Sequence, residues 1–145
     1  MNDHFRYYLR VRYSECDAQK VVFNARYADY IDIAITEFLR ACCAEFGFFE
    51  FHLVKQTIEW KSPARFDQIL ELTVSLQNVG NTSFSIATEI RVAGQERIIT
   101  NAETVSVFIE ESSMAKAPIP ADLRAALERG AAGVVVDHAA FLSRT

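Results

Sequence analysis

Two carboxylates stand just ahead of the longest helical pattern in the chain. They are Glu15 and Asp17, in the polar, non-periodic stretch Ser14-Glu15-Cys16-Asp17-Ala18-Gln19-Lys20. Asn24 comes next, directly before that pattern, where its side chain can cap exposed N–H groups. The first N–H groups of a helix have no partner within it, so a helix start binds an oxyanion as readily as a phosphate. A carboxylate a few residues upstream of such donors suits acyl transfer. It attacks a carbonyl or activates water, and the helix start stabilises the developing negative oxygen. Asp is also a common turn residue, so Asp17 equally fits a purely structural role in its loop.

The remaining reactive residues form no other constellation. Cys16, Cys42 and Cys43 lack CxxC spacing, and His4, His52 and His138 are scattered, so neither a disulfide framework nor a zinc site is expected. Buried, inert thiols are the expectation. His52 and His138 stand in no catalytic frame.

The elements around the loop follow from periodicity. Phe5, Tyr7, Leu9, Val11 and Tyr13 alternate with Arg6, Tyr8, Arg10 and Arg12, which predicts a half-buried strand. Tyr27, Ile31, Ala34, Ile35, Phe38, Cys42 and Phe46 recur at spacings of three and four, which predicts a helix from about Ala25 to Phe46 with Gly47 as its stop. Beyond Phe51 the pattern is β. Ile58 and Trp60 alternate with polar neighbours, as do Leu70 to Leu76 and Phe84 to Val92, with turns at Gly80-Asn81 and Ala93-Gly94-Gln95. The strand from Ile98 to Ile109 alternates less cleanly. Pro120, Leu123, Ala126, Leu127 and Gly130 predict a short helix. The tail from Ala131 to Thr145 reads ambiguously. Strands that follow strands predict an α+β fold, an antiparallel sheet with the long helix on one face.

Composition agrees with one domain spanning 1–145. The chain has 145 residues, 50% apolar and 23% charged, enough apolar area for a core and too much for a disordered chain. A net charge of −4 argues against a nucleic-acid module. No apolar stretch reaches the ~20 residues of a membrane span, and the charged N-terminus is unlike a signal peptide, so a cytoplasmic location is expected.

Tyr13-Ser14-Glu15-Cys16-Asp17-Ala18, then Val21-Val22-Phe23-Asn24, Tyr27 and Asp32, resemble the hot-dog-fold acyl-CoA thioesterases. The similar groups are the 4-hydroxybenzoyl-CoA thioesterase family and the acyl-CoA thioesterases of the Tol–Pal cluster. Trp60-Lys61-Ser62-Pro63-Ala64-Arg65-Phe66-Asp67, Val79-Gly80-Asn81-Thr82-Ser83-Phe84 and Pro118-Ile119-Pro120 resemble later segments of the same family, in the same order. The resemblance implies a five-stranded antiparallel sheet wrapped around the long helix, and a homodimer or tetramer with sites between subunits. It implies Asp17 as nucleophile or general base and the backbone N–H of Asn24 as an oxyanion donor. Phe23, Tyr27 and Ser83 fall in the family's motif segments and are expected to bind substrate; Lys61 and Arg65 are expected to as well, as is Lys20, whose charge either meets a CoA phosphate or marks a loop of different shape. The substrate would be an acyl-CoA, with coenzyme A part of the substrate and no other cofactor or metal.

The chain departs from that family at several places. Glu15 replaces the first Asp of an Asp-x-Asp pair, Lys20 stands where Gly is common, and Asn24 stands where His or Tyr is common. The turn at Gly80 to Thr82 lacks basic residues; Arg65, Lys61 and Arg91 are candidate substitutes. Phe46, Phe48, Phe49 and Phe51 suit core or interface packing, or an acyl pocket for aromatic or medium-length chains. Hot-dog dehydratases and hydratases need a His in the site, and none stands near the helix start.

Overall fold

The computed structural model describes residues 4–47 and 49–143; Phe48 of the aromatic cluster and the charged N-terminal residues 1–3 lie outside them. The first strand, β1 (Phe5–Arg10), leads through a short 3-10 turn (Tyr13–Glu15) to helix α1 (Arg26–Cys42). Four long strands follow: β2 (Phe51–Trp60), β3 (Ile69–Val79), β4 (Ser83–Val92) and β5 (Ile98–Phe108). Helix α2 (Ala121–Arg129) and the short β6 (Val135–Asp137) complete the chain. Among the described residues the sheet order is β2-β5-β4-β3-β1-β6.

The fold class is the α+β class that the strand order predicts, with one correction. The sheet has a sixth strand, and β6 runs parallel to β1, pairing Arg6 with Val135 and Tyr8 with Asp137. Its three residues carry too little pattern to be read from sequence. The Asp137 carboxylate anchors the turn after it by accepting the N–H groups of Ala139, Phe141 and Leu142.

Helix α1 lies on the inner sheet face because its apolar stripe matches the strands' inward residues. Tyr27, Ile31, Ala34, Ile35 and Phe38 are buried against Phe5, Tyr7, Leu9, Leu70, Leu72 and Ile90. Burying each large aliphatic or aromatic side chain contributes about 1.5–3 kcal/mol. The helix ends earlier than its periodicity suggests. Cys43 leaves helical geometry at φ −120°, and residues Ala44–Phe46 form a separate 3-10 turn that Gly47 closes at φ +61°. Cys42 and Cys43 are buried, and Cys16 is half-buried.

Strand β5 inverts the simple pattern. Its inward residues are Thr100, Ala102, Thr104 and Ser106, while Val105 and Val107 face outward; Thr100, Thr104 and Ser106 are buried. These hydroxyl residues stand opposite Ile90, Ile86 and Phe84 of β4 on the core face of the sheet, and that face is covered whatever its polarity.

Candidate active site

The loop between β1 and α1 is a tight hairpin with Asp17 at its tip. The Asp17 N–H donates to the Val21 carbonyl at 2.9 Å, and the Lys20 N–H donates to the Asp17 carbonyl at 2.9 Å. The side chain contributes as well. Asp17 Oδ1 accepts the Gln19 N–H at 2.8 Å, a local turn bond of the kind that makes Asp a loop residue. Asp17 is exposed, and among the described residues its second oxygen takes part in no hydrogen bond. The structural and the chemical roles therefore use different oxygens of one carboxylate.

Lys20 adopts φ +64°, the left-handed region that glycine occupies freely and a lysine enters at about 1–2 kcal/mol. The loop thus keeps the geometry that Gly would give. The segment after β2 holds that geometry in place. Ala64 accepts the Val22 N–H at 2.9 Å, and Lys20 accepts the Phe66 N–H at 3.0 Å.

The helix start differs from its sequence reading. The N-cap residue is Ala25, not Asn24, because α1 begins at Arg26, and among the described residues the Asn24 side chain caps nothing. The Arg26 N–H already donates to the Phe23 carbonyl at 2.8 Å. Among the described residues, no group accepts the N–H of Asn24 or of Ala25. These are the unpaired donors of a helix start.

A cavity of about 400 Å³ joins the two features. Asp17, Phe23, Asn24, Tyr27 and Lys61 all line it, together with Val21, Val22, Trp60, Ser62 and Pro63. Phe23 and Trp60 are 56% and 49% exposed at its mouth, large apolar side chains left about half open. The sequence marks Trp60 as a strand residue at the head of a family-like segment, without a binding role. Alternation places it on the inward face of β2 with Ile58, yet it lines the cavity mouth and stays half exposed. The Tyr27 hydroxyl accepts the Ala64 N–H at 3.0 Å. Burial pushes its pKa up, so the phenol stays protonated.

Three of the predicted binding residues lie elsewhere. Lys20 and Arg65 are exposed beside the cavity without lining it; Val21 pairs with Arg65 across the loop. Ser83 is at the far end of the sheet. It pairs with Val107 on β5, whereas Trp60 pairs with Thr100, seven residues away and so roughly 23 Å along the strand. His138 bonds the Tyr7 hydroxyl at 2.9 Å, and among the described residues no His lines the cavity.

Glu15 is the second carboxylate of the loop, and its environment is the opposite of Asp17's. It is 6% exposed. Burial pushes its pKa up, but bonds from the Arg12 N–H, the Tyr30 hydroxyl and the Arg12 guanidinium outweigh this and hold it below its ordinary value of 4.5. A lowered carboxylate stabilises the fold above its unfolded pKa and loses that contribution as pH falls through the folded one. Wild type is therefore expected to lose Tm below about pH 4.5 more steeply than Glu15→Gln, whose amide does not titrate. Parallel slopes for the two proteins in a pH series of thermal melts would refute this.

Residues 19–99 match the family described as Thioesterase superfamily, more than half of the chain. An acyl-CoA thioester hydrolase named YbgC, from Escherichia coli and from Shigella flexneri, is 31% identical over 123 residues, spanning 80% of this chain and 90% of the relative. The chain belongs to the thioesterase superfamily. Solved structures agree with this on the fold. A 1,4-dihydroxy-2-naphthoyl-CoA thioesterase from Synechocystis superposes with TM-score 0.74 at 22% identity, covering 85% of this chain and 94% of that one. YbaW, a probable thioesterase from Escherichia coli, gives TM-score 0.77 at 22% identity, covering 88% and 99%. The gentisyl-coenzyme A thioesterase BH1999 gives 0.74 at 25% identity, covering 84% and 98%. The architecture of this thioesterase is accordingly the hot-dog fold. The matched family segment begins two residues after Asp17, so the loop carboxylate stands outside it.

Proposed function

We propose that this thioesterase hydrolyses an acyl-CoA thioester to a carboxylic acid and free CoA, with Asp17 as its reacting carboxylate. One observation carries the reading: a single cavity is lined by the Asp17 carboxylate and by Asn24, whose N–H is unbonded at the start of α1. The YbgC relatives, named as acyl-CoA thioester hydrolases, support the substrate class.

The chemistry runs in one of two ways. As general base, Asp17 takes a proton from water while the water oxygen attacks the thioester carbonyl. As nucleophile, an Asp17 oxygen attacks directly, thiolate leaves, and water then cleaves the mixed anhydride. In both, the tetrahedral oxyanion accepts the Asn24 N–H, the C–S bond breaks, and the thiolate is released as thiol after taking up a proton. Asp17 Oδ1 stays in its turn bond with Gln19, which leaves the other oxygen for the reaction. Both routes use only the thioester, Asp17 and water, so no resident cofactor is needed. Phe23 and Tyr27 supply walls for the acyl group. Lys61 at the cavity, with Lys20 and Arg65 beside it, supplies positive charge for the phosphates of CoA.

The proposal includes a homodimer, or a pair of dimers. Strand β2 is a sheet edge, and its Leu53 and Val54 are exposed. Such an apolar edge invites pairing with another strand. Antiparallel pairing of two β2 strands sets the Phe51 end of one against the Trp60 end of the other. Phe51 packs against Phe84 at 5.7 Å, so this arrangement carries Ser83 of a second copy toward the Asp17 cavity.

The experiment is a panel of acyl- and aryl-CoA esters with free thiol followed, ligand binding measured in parallel, and sedimentation of the same sample. Thiol release matched by acid, from a species at least twice 16.4 kDa, is expected. Tight binding without turnover would make this a binding protein, and enoyl-CoA turnover without thiol would make it a hydratase. Either result overturns the proposal, and an active 16.4 kDa monomer overturns its assembly.

A further inference from the structure

We infer that Glu15 is a positioning residue of the hydrolysis: gripped by Tyr30 and Arg12, it holds the Asp17 loop in place against the start of α1. The inference rests on the reading of Asp17 as the reacting carboxylate.

Glu15 is buried among loop residues that are mostly exposed. A buried carboxylate is costly unless its oxygens are paired, and here both are. Oε1 accepts the Arg12 backbone N–H at 2.8 Å and the Tyr30 hydroxyl at 2.7 Å. Oε2 accepts the Arg12 Nε–H at 2.8 Å and lies 2.7 Å from a second guanidinium nitrogen. A carboxylate so enclosed has no oxygen left for a substrate. It has the arrangement of a latch.

What the latch joins is the site itself. Tyr30 belongs to α1, one turn beyond Arg26, so the 2.7 Å bond ties the helix start to the loop. The Glu15 backbone takes part too, since its carbonyl accepts the Phe23 N–H at 3.0 Å, one residue before Asn24. The next residue, Cys16, pairs with Val22, and Asp17 bonds Val21. Glu15 therefore touches the chain leading to the oxyanion donor and stands two residues before the reacting carboxylate. A shift of about 1 Å in such a pair costs on the order of 10²-fold in rate. The Tyr30 hydroxyl makes no other hydrogen bond among the described residues.

The test is a double-mutant cycle on the best CoA ester, using Tyr30→Phe, Asp17→Asn and the pair. Tyr30→Phe keeps the buried ring and removes the hydroxyl that grips Glu15. It is expected to lower kcat by about 10–100-fold with KM changed by less than about threefold. In the Asp17→Asn background the same change is expected to cost less than about twofold, because the group it positions no longer reacts. Glu15→Gln, which keeps shape and an acceptor oxygen, is expected to retain more kcat than Glu15→Ala. A wild-type kcat for Tyr30→Phe overturns the inference, as does an equal proportional loss in both backgrounds, the mark of a general structural defect. If Tyr30→Phe does not fold, Glu15→Gln carries the same cycle. A fully active Asp17→Asn would sink the reading of Asp17 itself. An inactive Asp17→Asn beside an unaffected Tyr30→Phe would sink only the latch.

Discussion

Asp17→Asn is expected to lower kcat by on the order of 10²–10⁴-fold for a general base, and by more for a nucleophile. The substitution is close to isosteric. Its amide oxygen can still accept the Gln19 N–H that shapes the turn, and the backbone bonds to Val21 and Lys20 do not involve the side chain. The loop should therefore keep its form, and the loss should come from the missing charge and basic lone pair. Binding should survive or tighten, because a carboxylate no longer faces an anionic substrate. Steady-state kinetics with free-thiol detection measures both quantities. A variant that turns over its best ester at the wild-type rate would remove Asp17 from the mechanism. Asn24→Ala makes a useful companion: the donor is a backbone N–H and the side chain caps nothing, so little change is expected.

Phe38→Ala is expected to destabilise the protein by about 3–5 kcal/mol, against a typical total of about 5–15 kcal/mol. Phe38 is 1% exposed, at the centre of the α1 stripe, and meets Phe5 of β1 edge-to-face at 5.7 Å between ring centroids. Its truncation leaves a cavity between the helix and the sheet. Neither neighbour can collapse into it, since Ile35 and Leu39 are themselves packed in the core. Phe38 lies fourteen residues beyond Asn24, roughly 21 Å along the helix, so the molecules that remain folded should keep their kcat. Denaturant titration gives the loss as a shift in midpoint at constant slope. A loss below about 1 kcal/mol would mean that the ring is not a core residue.

Comparing the two carboxylates shows what each level of structure contributes. Glu15 and Asp17 have similar chemistry and stand two residues apart, so nothing local separates them. The 3-10 turn at Tyr13–Glu15 directs Glu15 inward to Tyr30, while the hairpin that follows leaves Asp17 at its tip. Tyr30 is fifteen residues away in sequence, and its spacing places it beside the apolar stripe of the helix rather than on it, so no local pattern points it at Glu15. Which acid is buried and which is exposed is therefore a long-range outcome.

Local pattern is enough to place the strands with two-residue alternation, the helix with its three- and four-residue spacing, and the loop that carries Asp17. These are properties of neighbouring residues, since each period states which face a side chain takes before any partner is known. Other features come from long-range packing. It placed β6 parallel to β1, a pairing between the two ends of the chain. It buried the hydroxyl face of β5, because the register with β4 sets Thr100, Thr104 and Ser106 beside the core residues Ile90, Ile86 and Phe84. It held Lys20 at φ +64°, with Phe66 bonded across the loop to the Lys20 carbonyl. It also parted Ser83 from the Asp17 cavity by the length of the sheet, and brought Trp60 and Lys61 to it from the end of β2. Such contacts depend on chain segments far apart in sequence, whose meeting is set by how the sheet closes around the helix and by no local pattern.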